Sequence, residues 1–272
     1  MGMNEIAARS LRAICGLAVL LAGCHRDVAV DIPFVATIRG EPFSCDRPAN
    51  GFTPFDLRFY VYGVELLDQR GATTPVRLTN DDTWQHDGVA LLDFETGSGT
   101  CADGTRGTHM ILSGHVDAGR YVGLRFVVGV PFERNHADPT MADPPLNLGR
   151  MHWGWQGGFK FFRFEGNGPH GAVRVHLGST GCAGTIGHIT ECARPNRAVV
   201  QLDGFVPGRN RIALDLAPLV AMGGVRPDAK QPASCMSDMD DNGCRVAFDA
   251  FGLDLQTGKP LGAQHLFSSQ PL

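Results

Sequence analysis

The sequence predicts an all-β fold, a β-sandwich-like single domain with long disulfide-bonded loops. Three observations predict it. Short runs alternating apolar with polar residues recur along the chain. The 35 glycines and 17 prolines supply turns between them. An even set of cysteines lies beyond an export signal. Alternation places successive side chains on opposite faces of a strand. Gly and Pro punctuate short elements, and cysteines of exported chains pair.

The N-terminus sets the compartment. Arg9 and Arg12 precede the apolar run Ala13–Leu21, too short to span a bilayer and suited to a signal-peptide core. The run ends in LLAGC, residues Leu20–Cys24. Small Ala22 and Gly23 admit a peptidase, and the Cys24 thiol can take a lipid. An ordinary signal peptide with an incidental cysteine is the alternative. His25, not Asp, follows the anchor and points to outer-membrane sorting. The expected organisation is a lipoprotein signal peptide over 1–23, a lipid-anchored tether over 24–33 and a β domain over 34–272. The chain is expected in the cell envelope, facing periplasm or surface. A net charge of −4 without any Lys/Arg run excludes a nucleic-acid surface.

The elements follow in order. Asp27–Gly40 reads as an opening strand, and DLRFYVYGVELL (Asp56–Leu67) alternates and is rich in aromatic and β-branched residues. Val89–Glu95 and Arg120–Phe132 are further strands, the latter leaving at Pro131. FKFFRFE (Phe159–Glu165), Ala172–Ser179, Arg197–Phe205 and Arg211–Leu219 continue the series. Helices are expected to be short, with one turn near Met141. Gly223–Asn242 is expected to be a long loop held by a disulfide.

Of eight cysteines, Cys15 lies in the signal segment and Cys24 is the anchor. Six remain: Cys45, Cys101, Cys182, Cys192, Cys235 and Cys244. Proximity favours Cys182–Cys192 and Cys235–Cys244, leaving Cys45–Cys101. The absence of CxxC spacing speaks against a thiolate metal centre.

Imidazole suits copper and zinc, and thioether sulfur favours Cu(I). Of ten histidines, His25 adjoins the anchor, and His109, His115, His170, His188 and His265 sit in polar or turn-like contexts. His86, His136, His152 and His176 remain as metal candidates, although a lone strand histidine is more often structural. On a strand Trp84 shares a face with His86, and Trp153 with Trp155, whereas His152 faces away from that pair. An intact indole is a poor metal ligand, having a donor N–H and no acceptor; ring opening exposes an aniline-type amine. No GxSxG, HExxH or P-loop is present. Ser179 near His176 lacks an evident orienting acid, and Asp81, Asp82, Asp87 and Asp93 do not follow the EF-hand pattern. The chain is therefore expected not to be an enzyme.

The strings DLRFYVYGVELL, WQHDGVALLDFE, GTCADGT, YVGLRFVVGVPFERNHADP, PLNLGRMHWGWQGGFKFFRFE, HLGSTGC and CARPNR together resemble the MbnP family, the four-Cys proteins of metallo-mystery pairs. The resemblance runs from about Phe34 to Leu219, and Cys235 and Cys244 fit the family's cysteine-bearing tail. It implies a copper-binding protein of copper homeostasis. It also implies a MauG-like dihaem partner of the cytochrome c peroxidase family (MbnH-like) that oxidises a tryptophan to kynurenine, whose amine helps to hold copper. Carried over by motif, His136 and His176 are the expected ligands and His86 a third imidazole. Trp155 and Trp84 are the candidates for oxidation, Trp84-Gln85-His86 resembling a W-x-H arrangement of copper-binding relatives. Phe159 stands where many members have Tyr. The rival expectations are a metal-free surface-interaction lipoprotein and an envelope hydrolase.

Overall fold

The structure is a computed structural model that describes residues 26–102, 104–224 and 233–272. The signal segment, Cys24 and residues 225–232 of the expected loop lie outside the described residues.

Two sheets face each other. The smaller runs Phe267–Pro271, Asn210–Asp215, Asp27–Ile38, Ile111–Asp117, Arg77–Leu78, with Glu41–Pro42 paired to the Asp27–Ile38 strand. The larger runs Ala198–Asp203, Tyr121–Val128, Thr53–Asp68, Phe162–Gly168, Gly171–Leu177, Ala233–Cys235, with Val89–Asp93 and Thr73–Pro75 also paired to Thr53–Asp68. Strict alternation drives the first strand: Val30, Ile32, Phe34, Ala36 and Ile38 are buried and face the larger sheet's core. That strand already begins at Asp27, opposite Asp117, within the stretch expected as a tether.

Thr53–Asp68 organises the molecule because both of its faces are covered. Leu57, Phe59 and Val61 enter the core between the sheets. Phe59 meets the rings of Phe34, Phe94, Phe162 and Phe267 at centroid separations of 6.1, 6.1, 5.6 and 5.7 Å. Burial of each such ring contributes about 1.5–3 kcal/mol. Tyr60 points the other way, into a second cluster with Val89, Leu91, Val130, Leu146, Met151, Phe159 and Phe161. Its hydroxyl donates to the Pro145 carbonyl at 3.0 Å. The excursion between Val128 and Phe162 therefore forms a lid over the outer face of the larger sheet, and this lid carries the site.

Several boundaries differ from expectation for local reasons. FKFFRFE is not one strand: Gly158–Phe159 and Phe162–Gly168 are separate. Phe159 and Phe161 serve the outer cluster, while Phe162 and Phe164 serve the inner core. The consecutive phenylalanines at 161 and 162 switch the parity between faces. The strand expected to reach Leu219 stops at Asp215, and Pro218 sits in the first turn of a helix, Ala217–Ala221, where a missing N–H costs nothing. The turn expected near Met141 is a single one, closed by the Ala142 N–H on the Asp138 carbonyl at 2.9 Å, and a short helix lies earlier, at Phe132–Asn135. A nine-residue helix, Asn242–Ala250, follows the 225–232 stretch, with Asp241 as N-cap accepting from the Gly243 N–H.

The cysteines pair as Cys45–Cys101, Cys182–Cys192 and Cys235–Cys244. Cys45–Cys101 spans 56 residues and so restricts the unfolded chain most, contributing about 4 kcal/mol on a chain-entropy account.

Candidate metal centre

The lid builds its pocket from two turns. After the Tyr121–Val128 strand, Pro131 turns the chain into the Phe132–Asn135 helix, whose C-cap is His136. Buried Asn135 locks this corner. Its Oδ1 accepts from the Phe159 N–H at 3.1 Å, and its Nδ2 approaches His136 Nε2 at 3.1 Å. Gly158 makes the fit possible: it has φ +72°, and a Cβ there would lie 2.3 Å from the Asn135 carbonyl oxygen.

The second turn joins the short strands His152–Gly154 and Gly158–Phe159. Their pairing carries a bulge between His152 and Gly154, and Gly154 has φ +135°, a region costly for other residues. This corrects the expectation that His152 faces away from Trp155. The alternation is broken at Gly154, so His136, His152 and Trp155 line one pocket of about 390 Å³, with Ala137, Asp138, Pro139, Ile186 and Gly187.

The imidazoles there are prepared as neutral donors. His136 donates Nδ1–H to the Trp155 carbonyl at 3.1 Å, which leaves Nε2 as its lone-pair nitrogen. Burial lowers its pKa, as does the charge of Arg197, against the opposing effect of that hydrogen bond. Burial also lowers the pKa of His152, with His136 and Lys160 adding to it and Asp138 opposing. His152 packs edge-on to Phe159, centroids 4.9 Å apart, and its Nε2 is buried without a hydrogen-bond partner. Neutral imidazoles, one with an orphaned nitrogen and one whose Nε2 lone pair faces Asn135 Nδ2, are the donor type that suits a borderline-soft ion such as copper. Trp155, 38% exposed, has no lone pair to offer while its indole is intact.

His176 lies elsewhere. It is buried in the Gly171–Leu177 strand, and its Nε2 meets Glu165 Oε1 at 2.7 Å. Burial raises Glu165, but hydrogen bonds from His176 and Arg163 outweigh it and bring the carboxyl down to about 2. Burial holds His176 below its ordinary value despite Glu165. The pair is thus a neutral imidazole donating to a carboxylate. Trp153 is the aromatic neighbour of His176, ring centroids 6.4 Å apart.

Trp84 and His86 sit on the Asp87-Gly88 hairpin, both turn residues at positive φ. Trp84 stacks nearly parallel on His109 at 5.7 Å and lines a separate hollow with Asp82, Thr105, Arg106 and Pro144. His86 lies 3.8 Å from both Asp82 and Asp143. Ser179 is buried, and its hydroxyl donates to the Pro195 carbonyl at 2.9 Å. Of the sequence-derived residues, the pocket thus unites His136 and Trp155. It also holds His152, a metal candidate outside the family-derived ligand set, which the broken alternation at Gly154 brings in.

The Cys182–Cys192 disulfide also borders this corner: Cys192 Sγ is 3.5 Å from His136 Nε2. The ligand atoms of His136, Cys182 and Cys192 lie within 4.8 Å of one another. As a disulfide, the two sulfurs carry no thiolate charge.

A family model described as MbnP matches residues 27–237. Among solved structures, MbnP from Methylosinus trichosporium is 32% identical, with TM-score 0.80, covering 90% of this chain and 99% of that one. No curated protein matches the chain.

Proposed function

The chain belongs to the MbnP family, and on that premise we propose that it is an exported copper-binding lipoprotein of copper homeostasis, not an enzyme. His136 and His152 hold the metal beside Trp155. The observation that carries this reading is the convergence of these three residues on one pocket, with the buried Nε2 of His152 unpartnered. Low pKa values keep both rings neutral and able to ligate at neutral pH. The Trp155 carbonyl orients His136 in the way that outer partners orient metal-bound histidines.

Trp155 is the favoured site of oxidation because it is exposed, whereas Trp84 is half-buried and stacked on His109. A MauG-like dihaem protein catalyses the oxidation, dioxygen or peroxide supplies the two oxygen atoms, and hydrolysis releases the formyl carbon as formate. Kynurenine supplies an aryl amine that an intact indole lacks. His176, bonded to Glu165 and beside Trp153, lies outside this pocket and is not part of the ligand set proposed here.

The test is peptide mass spectrometry and copper titration on protein from its native envelope. The Trp155 peptide should gain two oxygens and lose one carbon monoxide. His136→Ala and His152→Ala should each weaken copper binding about 10–100-fold, while His176→Gln keeps it. Copper retained by the His136→Ala, His152→Ala double variant sinks the assignment, as does modification confined to Trp84.

A further inference from the structure

We propose that reduction of the Cys182–Cys192 disulfide creates a thiolate site for Cu(I), formed by Cys182, Cys192 and His136. It shares His136 with the imidazole site described above but needs neither His152 nor an oxidised tryptophan.

Placement comes first. The three donor atoms already lie within 4.8 Å of one another, and His136 Nε2 is the nitrogen that faces the sulfur. His136 cannot turn away freely, because its Nδ1–H is held by the Trp155 carbonyl. Cys182 and Cys192 are direct partners in the register of the Thr180–Thr185 and His188–Arg194 hairpin, so the backbone keeps the two thiols adjacent once the bond opens.

Access singles out this disulfide. The hairpin is a separate two-stranded sheet, hydrogen-bonded to neither main sheet, and most of its residues are exposed. Cys192 is half-buried, whereas Cys45, Cys101, Cys235 and Cys244 are no more than 2% exposed. A dithiol reductant therefore reaches Cys192 first. Its thiolate attacks the S–S bond, a mixed disulfide forms, and the second reductant thiol releases it. Two electrons pass to the protein, two cysteine thiols form, and the reductant leaves as a disulfide. Copper then displaces the two thiol protons. Two thiolates and one neutral imidazole are a soft donor set that selects Cu(I).

The experiment uses the mature chain with unmodified tryptophans, reduced briefly with dithiothreitol, desalted without oxygen and titrated with Cu(I) held by bicinchoninate. Alkylation mapping should show Cys182 and Cys192 opened first. The reduced chain should take one copper at least roughly tenfold more tightly than the oxidised chain. Reduced Cys182→Ser, Cys192→Ser protein should lose that gain, and His136→Ala should weaken it. In His152→Ala protein, which has lost the imidazole site, reduction should bring Cu(I) binding up to the level of the reduced parent chain. Equal affinity before and after reduction overturns the proposal. So does a gain that survives in the double serine variant, or a Cys182–Cys192 bond that outlasts the other two.

Discussion

Arg58 is fully buried, and its partners explain how a charge persists there. Its guanidinium forms a two-pronged bond with Asp56 and lies 3.5 Å from Glu95. Asp56 also meets Arg163 at 3.2 Å, and Arg163 passes the chain of contacts to Glu165 and His176. Asp93 closes the group; burial and its neighbour Glu95 push it up to about 7, against the bonds and charge that Thr105 and Arg58 supply. Removing the cation leaves buried carboxylates uncompensated. Arg58→Ala should therefore cost about 3–5 kcal/mol in urea unfolding, and a loss below about 1 kcal/mol would remove the network's claim to structural weight. None of this was legible from the alternating DLRFYVYGVELL string, in which Arg58 reads as a solvent-facing residue. Its partners Asp93 and Glu95 lie at and just beyond the end of a strand that is distant in sequence and pairs beside it, and Thr105 bonds both carboxylates.

At the scale of an element, the turn from His152 to Phe159 decides whether a pocket exists. A Cβ at Gly154 would meet nothing within 4 Å, so substitution there acts through the backbone alone. Gly154→Ala should cost about 1–3 kcal/mol through the strained φ. Because the relaxed turn re-aims Trp155 away from His152, copper affinity should fall by about tenfold or more as well. Calorimetry and copper titration on the same sample check this; unaltered affinity beside lowered stability would show that the bulge does not aim the site. The strand pattern told both outcomes apart poorly. A period of two predicts opposite faces for His152 and Trp155, and a single glycine at positive φ reverses that.

For the whole molecule, buried histidines tie stability to pH. Burial lowers His176 and His109, so the folded chain resists protonation at positions that titrate near 6.5 when unfolded. Their stabilisation is present above that value and is lost as pH falls through the folded values. Glu165, held at about 2, extends the decline further into acid. Asp93, held up to about 7, takes its proton first in the folded state and works in the opposite sense, so the histidine contribution is read as a difference. The stability gap between parent and His176→Gln, from urea unfolding of copper-free protein, should be level from about pH 8 to 7 and shrink towards pH 4. A gap that widens on acidification would contradict the neutral His176–Glu165 pair.

Strand positions, turn sites and cysteine pairs close in the chain were readable because alternation, Gly-rich turns and short loops are local properties of the backbone. The family strings narrowed the chemistry to imidazoles and tryptophans. Only the tertiary structure decided which of these meet. His176 had the family motif but faces Glu165, because the Phe162–Gly168 strand pairs beside it. His152 lies outside the family-derived ligand set but enters the pocket, because a bulge and Gly154 turn the chain. The parallel pairing of Phe34 with Ile212 joined the two ends of the domain, and no local signal carries it. Such choices depend on which distant surfaces cover each face, and that information is distributed over the whole chain rather than written beside the residues it places.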